Sequence, residues 1–313
     1  MTKNEFFISC REQELHCVEW RPDGAPVAVL QIVHGMAEHI LRYGELAEYL
    51  NGAGIAVVGH DHPGHGKTAK NEGDLGYIPK KGGSQLLVDC TVSVTEHIKK
   101  EYPEVPLFIL GHSMGSFVLR RYLTAHASQI SGAFVVGTGT PPAPVLSVGR
   151  LLASLLSVLF GAHHRSPLLK KISFAGYNSQ FSKDEGENAW ISSDREAVRL
   201  YDGDPLSGYT FTASGFYVLY DTLLYLAQKK GMENIPKDLP VFVAAGELDP
   251  VGSMGKGPRA FAEELKRLGV GQVELMLYKN QRHEIINERE RAAVHADIKH
   301  RILKLAGKES SDK

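Results

Sequence analysis

The chain has 313 residues, 43% hydrophobic and 23% charged, with 35 basic residues against 36 acidic ones. That length suits one large core with room for an insertion. A net charge of −1 gives no field that would favour nucleic acid or stable binding to an anionic membrane. Cys10, Cys17 and Cys90 form no CxxC pair and are too few for a disulfide framework. They read as packing residues in a reducing compartment. The first ten residues lack the apolar stretch of a signal peptide. The longest apolar candidate, Val145 to Phe160, is interrupted by Gly149, Arg150 and several serines, so no run reaches the ~18 residues of a membrane span. The expected location is the cytoplasm.

Along the chain, Phe6–Ser9 and Leu15–Trp20 alternate as a hairpin turning near Arg11. The continuous apolar run Val27–Val33 reads as a buried strand. Tyr43–Leu50 has helical spacing, Ile55–Val58 is a short strand, and Gln85–Lys100 is a helix closed by two lysines. Then follow a strand at Leu107–Leu110, a helix from Met114 towards Ala125 and a strand at Ala133–Val136. From Pro141 to about Tyr209 prolines punctuate the sequence and strand signals stop. The alternation resumes with a helix (Thr212–Gln228), a strand (Val241–Ala245), a helix (Pro258–Leu268), a strand (Val273–Tyr278) and a final helix (Glu284–Leu305). The polar end, Lys308–Lys313, reads as disordered. Alternating strands and helices imply a mostly parallel sheet covered on both faces, with 141–209 inserted above it.

Gly111-His-Ser113-Met-Gly115 fits G-x-S-x-G, and it joins an apolar strand to a helical pattern. A nucleophile elbow needs that context, with glycines where a Cβ would clash between the crossing strand and helix. Gly252-Ser253-Met254-Gly255 lacks both the preceding glycine and a strand running into it. A serine hydroxyl needs an imidazole to take its proton and a carboxylate to orient that imidazole. Asp249 and His283 follow the strands Val241–Ala245 and Val273–Tyr278, in the Ser–Asp–His order of this elbow class. Glu247 competes as the acid, but Asp249 lies further into the loop, before Pro250. His295 and His300 fall in the final helix and read as solvated. The turn His34-Gly35-Met36 ends an earlier strand, so the Met36 and Met114 backbone N–H groups are the expected oxyanion donors. His34 reads as a buttress, and Glu38, Arg42 and Tyr43 as braces, with Glu38 and Arg42 at i,i+4 spacing. His60-Asp-His62-Pro-Gly-His65 suggests a binuclear metal motif, but Gly64 stands where its second aspartate belongs, and a tight loop suits it better. This chemistry needs no metal or organic cofactor.

Five segments together resemble the monoacylglycerol lipase / lysophospholipase group of α/β-hydrolases, the serine aminopeptidase S33-type. They are His34–His39 with Arg42-Tyr43, Asp61–Gly66, Gly111–Gly115, Gly246–Pro250 and His283-Glu284, in the family's order. The resemblance implies an eight-stranded α/β-hydrolase core, 1–140 and 210–313, with a helical cap at 141–209 inserted after the sixth strand. Asp204-Pro-Leu-Ser-Gly208 resembles the exit of that cap. Lys67-Thr68 departs from the small residue and serine usual after the Gly-His-Gly turn.

Within the insertion, Val148, Leu151, Leu152, Leu155, Leu156, Leu159 and Phe160 recur at helical spacing. The first reading of this stripe is a face packed on the protein, the second an acyl-pocket wall, the third a weak contact with lipid. The implied partner is a small ester with an apolar acyl chain. The implied activity is hydrolysis of monoacylglycerol- or lysophospholipid-like esters through an acyl-enzyme on Ser113. Short-chain carboxylesterase activity stays open, as does aminopeptidase-type activity with Glu185, Glu187 or Asp194 holding an ammonium. So does a non-catalytic binding protein on the same fold.

Overall fold

The computed structural model describes residues 1–308; beyond Lys308, the C-terminal run expected to be disordered lies outside the described residues. Strands β1 (Thr2–Cys10) and β2 (Gln13–Arg21) form the expected hairpin, with Arg11 at positive φ in its turn. They are followed by β3 (Ala28–Val33), β4 (Ile55–His60), β5 (Leu107–His112), β6 (Gly132–Val136), β7 (Val241–Gly246) and β8 (Val273–Tyr278). One eight-stranded sheet results, in the order β1-β2-β4-β3-β5-β6-β7-β8. β2 runs antiparallel to both β1 and β4, and every other pairing is parallel. The chain is therefore an α/β-hydrolase in architecture.

The helices are α1 (Gly44–Asn51), α2 (Gly83–Glu101), α3 (Met114–His126), α4 (Ala143–Phe160), α5 (Pro167–Ser173), α6 (Arg195–Gly203), α7 (Ala213–Ala227), α8 (Lys256–Arg267) and α9 (Arg291–Leu305). Side chains alternate across a strand, so each central strand feeds two cores. Phe134 and Val136 of β6 join α1 and α9 on one face of the sheet. Ala133 and Val135 join α2, α3, α7 and α8 on the other. Thr212, expected inside α7, is its cap: its Oγ1 accepts from the Gly215 N–H at 3.1 Å.

The sequence reading needs correction at three places. The final helix begins at Arg291, not Glu284. Residues 284–290 are held as a loop by side-chain bonds: Glu284 receives Arg42, and Glu288 accepts from the Arg282 and Ser193 N–H groups, both at 2.8 Å. His295 is buried rather than solvated, and its Nε2–H donates to the Ile286 carbonyl at 3.0 Å. Finally, α4 is an uninterrupted 18-residue helix with mean hydropathy 1.8, long and apolar enough by composition to cross a membrane. Only Leu146, Gly149 and Ala153 are fully buried along it. A Cβ on Gly149 would stand 2.6 Å from the Tyr220 ring, so this side is pressed onto α7. Leu152 and Leu156 are half-buried, while Val148, Leu151, Leu155, Leu159 and Phe160 are exposed, Leu151 by 71%. Most of the stripe is thus not a packed face.

Candidate active site

β5 runs into α3 through Ser113, whose φ of 52° lies in the region non-glycine residues avoid. The crossing explains the flanking glycines. A Cβ on Gly115 would stand 1.9 Å from the Val33 carbonyl oxygen, and one on Gly111 would stand 2.5 Å from the Gly115 oxygen. The hydroxyl is thereby pushed out of the turn towards the loops that follow β7 and β8. Ser113 Oγ lies 2.8 Å from His283 Nε2, and His283 Nδ1 lies 3.0 Å from Asp249 Oδ1. A carboxylate only accepts, so Nδ1–H donates to Asp249 and Nε2 is free to accept from Ser113. Asp249 is fully buried and also accepts from the Val251 N–H at 2.9 Å. Glu247 is exposed, and Asp249 is the carboxylate that meets the imidazole. Ser253 borders the same cavity from a separate turn, at φ 50°.

The loop after β3 faces this serine. A Cβ on Gly35 would come 3.0 Å from Ser113 Cβ, so the chain at 35–36 passes directly beside the hydroxyl. The N–H groups of Met36 and Met114 donate to no acceptor among the described residues. Glu38 organises this loop. Its carboxylate accepts from the Gly35 N–H, from His112 Nδ1–H at 3.2 Å, from the Tyr43 hydroxyl at 3.1 Å and from Arg42 at 2.8 Å. Burial alone would push the Glu38 carboxyl up, but His112 and Arg42 outweigh it and hold it below the usual range. Burial likewise works against the His112 cation, and Glu38 outweighs it, raising His112.

The histidines around the loop are built in as neutral rings. His34 donates to the Gly35 carbonyl at 2.8 Å and accepts from the His62 N–H at 3.0 Å. His62 donates back to the His34 carbonyl at 3.1 Å, and His65 to the Pro63 carbonyl at 3.0 Å. Burial pushes both His60 and His65 down to about 3. His34 and His62 thereby tie the two loops together.

Several contacts that matter here left no readable signal in the sequence. Arg42 grips Glu284 through two bonds, at 2.8 and 2.7 Å, joining the β3 loop to the residue after His283. The Glu38–Arg42 spacing was visible, but the 242-residue separation of Arg42 from Glu284 left no local signal. Asp61 accepts from the Ile40 and Lys67 N–H groups and from His16, each at 2.8 Å. Thr68, at the departure from the family pattern, accepts from the His16 N–H at 2.9 Å and so serves this loop. Trp190 packs its ring 5.0 Å from that of His283, and its carbonyl accepts from the His283 N–H at 3.4 Å.

Ser113 opens into a cavity of about 360 Å³. Its walls are largely apolar, formed by Val145 and Leu146 of α4, Phe216 and Leu219 of α7, and Phe174, Tyr177 and Trp190 near His283. Of the three acids considered for an ammonium, Glu185 is tied to Arg282 at 2.8 Å and Asp194 caps α6. Glu187 does border the cavity, but it is matched by Lys170 at 3.6 Å.

A strained serine between strand and helix, with histidine and aspartate on the neighbouring strand ends, defines a member of the serine α/β-hydrolases. The family model described as serine aminopeptidase, S33, matches residues 24–290, and the chain belongs to that family. Mouse monoglyceride lipase is 29% identical over 243 residues, covering 77% of this chain and 72% of the lipase. Monoacylglycerol lipase of Mycolicibacterium smegmatis is 25% identical over 279 residues, or 89% of each chain. Among solved structures, a thermostable carboxyl esterase from Bacillus coagulans in complex with glycerol superposes with a TM-score of 0.87 at 27% identity. It covers 98% of this chain and 99% of the esterase. The protein is a serine hydrolase of the monoglyceride lipase and esterase type.

Proposed function

We propose that the protein hydrolyses monoacylglycerol- or lysophospholipid-like esters through an acyl-enzyme on Ser113. The observation that carries this reading is the Asp249–His283–Ser113 chain of hydrogen bonds opening into an apolar-walled cavity. In the proposed cycle His283 takes the Ser113 proton as Oγ attacks the ester carbonyl, and Asp249 stabilises the resulting imidazolium. The Met36 and Met114 N–H groups receive the oxyanion, a contribution worth about 3–4 kcal/mol per donor in related sites. His283 returns the proton to the leaving alcohol. Water, activated by the same imidazole, then releases the acid and frees Ser113. No step calls on a metal or organic cofactor.

In this reading residues 141–209 act as a cap that sets acyl preference, because α4 contributes Val145 and Leu146 to the cavity wall. The exposed apolar side of α4, with Leu151 and Val158 uncovered, supports a weak contact of the cap with a lipid surface. The monoglyceride lipases among the relatives support a glyceride-like alcohol, and the apolar walls support a medium or long acyl chain.

The test is kcat/KM over p-nitrophenyl esters from acetate to palmitate, followed by a 1-monoacylglycerol, with Ser113→Ala as the blank. A rise towards medium or long chains is expected, with turnover in the variant reduced on the order of 10⁶-fold. A maximum at acetate would replace the reading with a short-chain carboxylesterase. Turnover of Ser113→Ala within tenfold of wild type would remove Ser113 as the nucleophile.

A further inference from the structure

Behind α3, on the far side of a wall shared with the main cavity, lies a second cavity of about 210 Å³. Pro141 and Leu223 border both spaces. The second is lined chiefly by apolar groups, including Leu226, Met232 and Phe261, and by one cation, Arg120, that no carboxylate neutralises.

Arg120 is 7% exposed. Its Nη1 donates to Thr138 Oγ1 at 3.1 Å and to the Gly139 carbonyl at 2.9 Å, and its guanidinium lies 4.2 Å from the centre of the Phe261 ring. Nε is buried without a partner, and Nη2 makes no hydrogen bond among the described residues. Nε is closed off by its surroundings, which leaves Nη2 as the donor an incoming group can reach. Glu264, which also borders the cavity, is engaged elsewhere, by Lys229 at 3.0 Å and Arg267 at 2.6 Å. Burial pushes Arg120 down to about 10, so it is still charged at neutral pH. A buried cation without a counter-charge is unfavourable, and an incoming anion would offset that cost.

We propose that this cavity is a second ligand site, which takes a monocarboxylate with a short apolar chain. The carboxylate pairs with the Arg120 guanidinium through Nη2, and the chain lies against Leu226, Met232 and Phe261. With Lys229 and Glu264 paired to each other, one unmatched cation in a largely apolar space suits a single negative charge on an apolar body, and the volume is below that of sites for drug-sized ligands. The acid released by the proposed ester cleavage belongs to this class; only in that link does the inference rest on the esterase reading. Because Arg120 also holds Thr138 and Gly139, where the chain leaves β6 for α4, an occupied site would bear directly on the root of the 141–209 segment.

The test is isothermal titration of the whole protein with sodium hexanoate and, as the neutral counterpart, 1-hexanol. Hexanoate is expected to bind one-to-one, at least tenfold more tightly than hexanol. Arg120→Met is expected to abolish that preference. Ala260→Trp, at the exposed rim, is expected to weaken hexanoate at least tenfold without touching Arg120, and it answers the question if Arg120→Met does not fold. Equal affinity for acid and alcohol, unchanged hexanoate binding in either variant, or no binding up to ~50 mM would each overturn the proposal. The readout is binding, so a failed esterase assay would be a separate result.

Discussion

The loops at the carboxyl ends of the strands and the helical segment 141–209 both border Ser113, but different forces hold them. In the loops nearly every polar side chain is buried and engaged. Glu38 gathers four donors, Asp61 three, and Arg42 bridges the β3 loop to Glu284. The segment shares such bonds at its edges, through Arg282 on Ala189 and Glu185, His39 on Asp204 and Glu288 on Ser193, but its longest helix, α4, rests on α7 by one apolar side. Its outer surface leaves Leu151, Val158 and Phe160 exposed. Buried polar networks fix geometry because an unmade bond there is costly. An exposed apolar face imposes no such constraint. On the proposed reading, reaction type is anchored in the loops and selectivity has room to vary in the segment.

If that division is right, the largest effects belong to the loops. Asp249→Asn, which would favour the wrong imidazole tautomer, is expected to lower kcat on the order of 10⁴-fold, while Glu247→Gln stays within about twofold of wild type. Steady-state kinetics on one ester compare the two, and an equal loss in both would undo the assignment of the acid. Next, Glu38→Gln removes the charge that Arg42 and His112 answer and loosens the Gly35–Met36 chain. A loss of about 10² in kcat with little change in KM is expected, because the donor would be misplaced only where the oxyanion forms. A pure KM effect would mean that Glu38 braces the binding wall instead.

The loop histidines make the comparison pH-dependent. His60 and His65 titrate near 3 in the folded protein against an ordinary 6.5, so below 6.5 the unfolded chain takes up protons that the folded one refuses. Their contribution is complete above about pH 6.5 and declines as pH falls towards 3, by about 1.4 kcal/mol per ring per pH unit. Urea unfolding between pH 7.5 and 5 measures it. Both nitrogens of His60 lack partners, so His60→Leu should flatten this slope by one proton's worth without losing a hydrogen bond. A slope matching wild type would show that His60 is protonated in the fold. The smallest effect is expected in the segment. Leu151→Glu with Val158→Glu should leave a soluble short-chain ester untouched and slow hydrolysis of a monoacylglycerol in vesicles by about tenfold. Equal loss on both substrates would mean that the double change disturbs the cavity wall rather than a lipid contact.

Much of this protein was determined by local sequence. The eight strands, the hydrolase core and the turn around Ser113 are written in short-range patterns: apolar runs of strand length, helical spacing, and glycines where a Cβ has no room. Asp249 and His283 were legible as candidates because each ends a strand on the edge where parallel sheets collect their loops. What the tertiary structure decided involves contacts without a local period. The Arg42–Glu284 bond, the Trp190 ring on His283 and the orphaned Nε of Arg120 join residues far apart in the chain, and Arg120 looks like any other helix residue in the sequence. The same limit misplaced the start of α9 and the surroundings of His295. The facing of α4 is the clearest case: spacing reveals that a helix has an apolar stripe, but only the position of α7 decides which part of it is covered. Its covered side is the Leu146–Gly149–Ala153 line, where Gly149 leaves room for the Tyr220 ring.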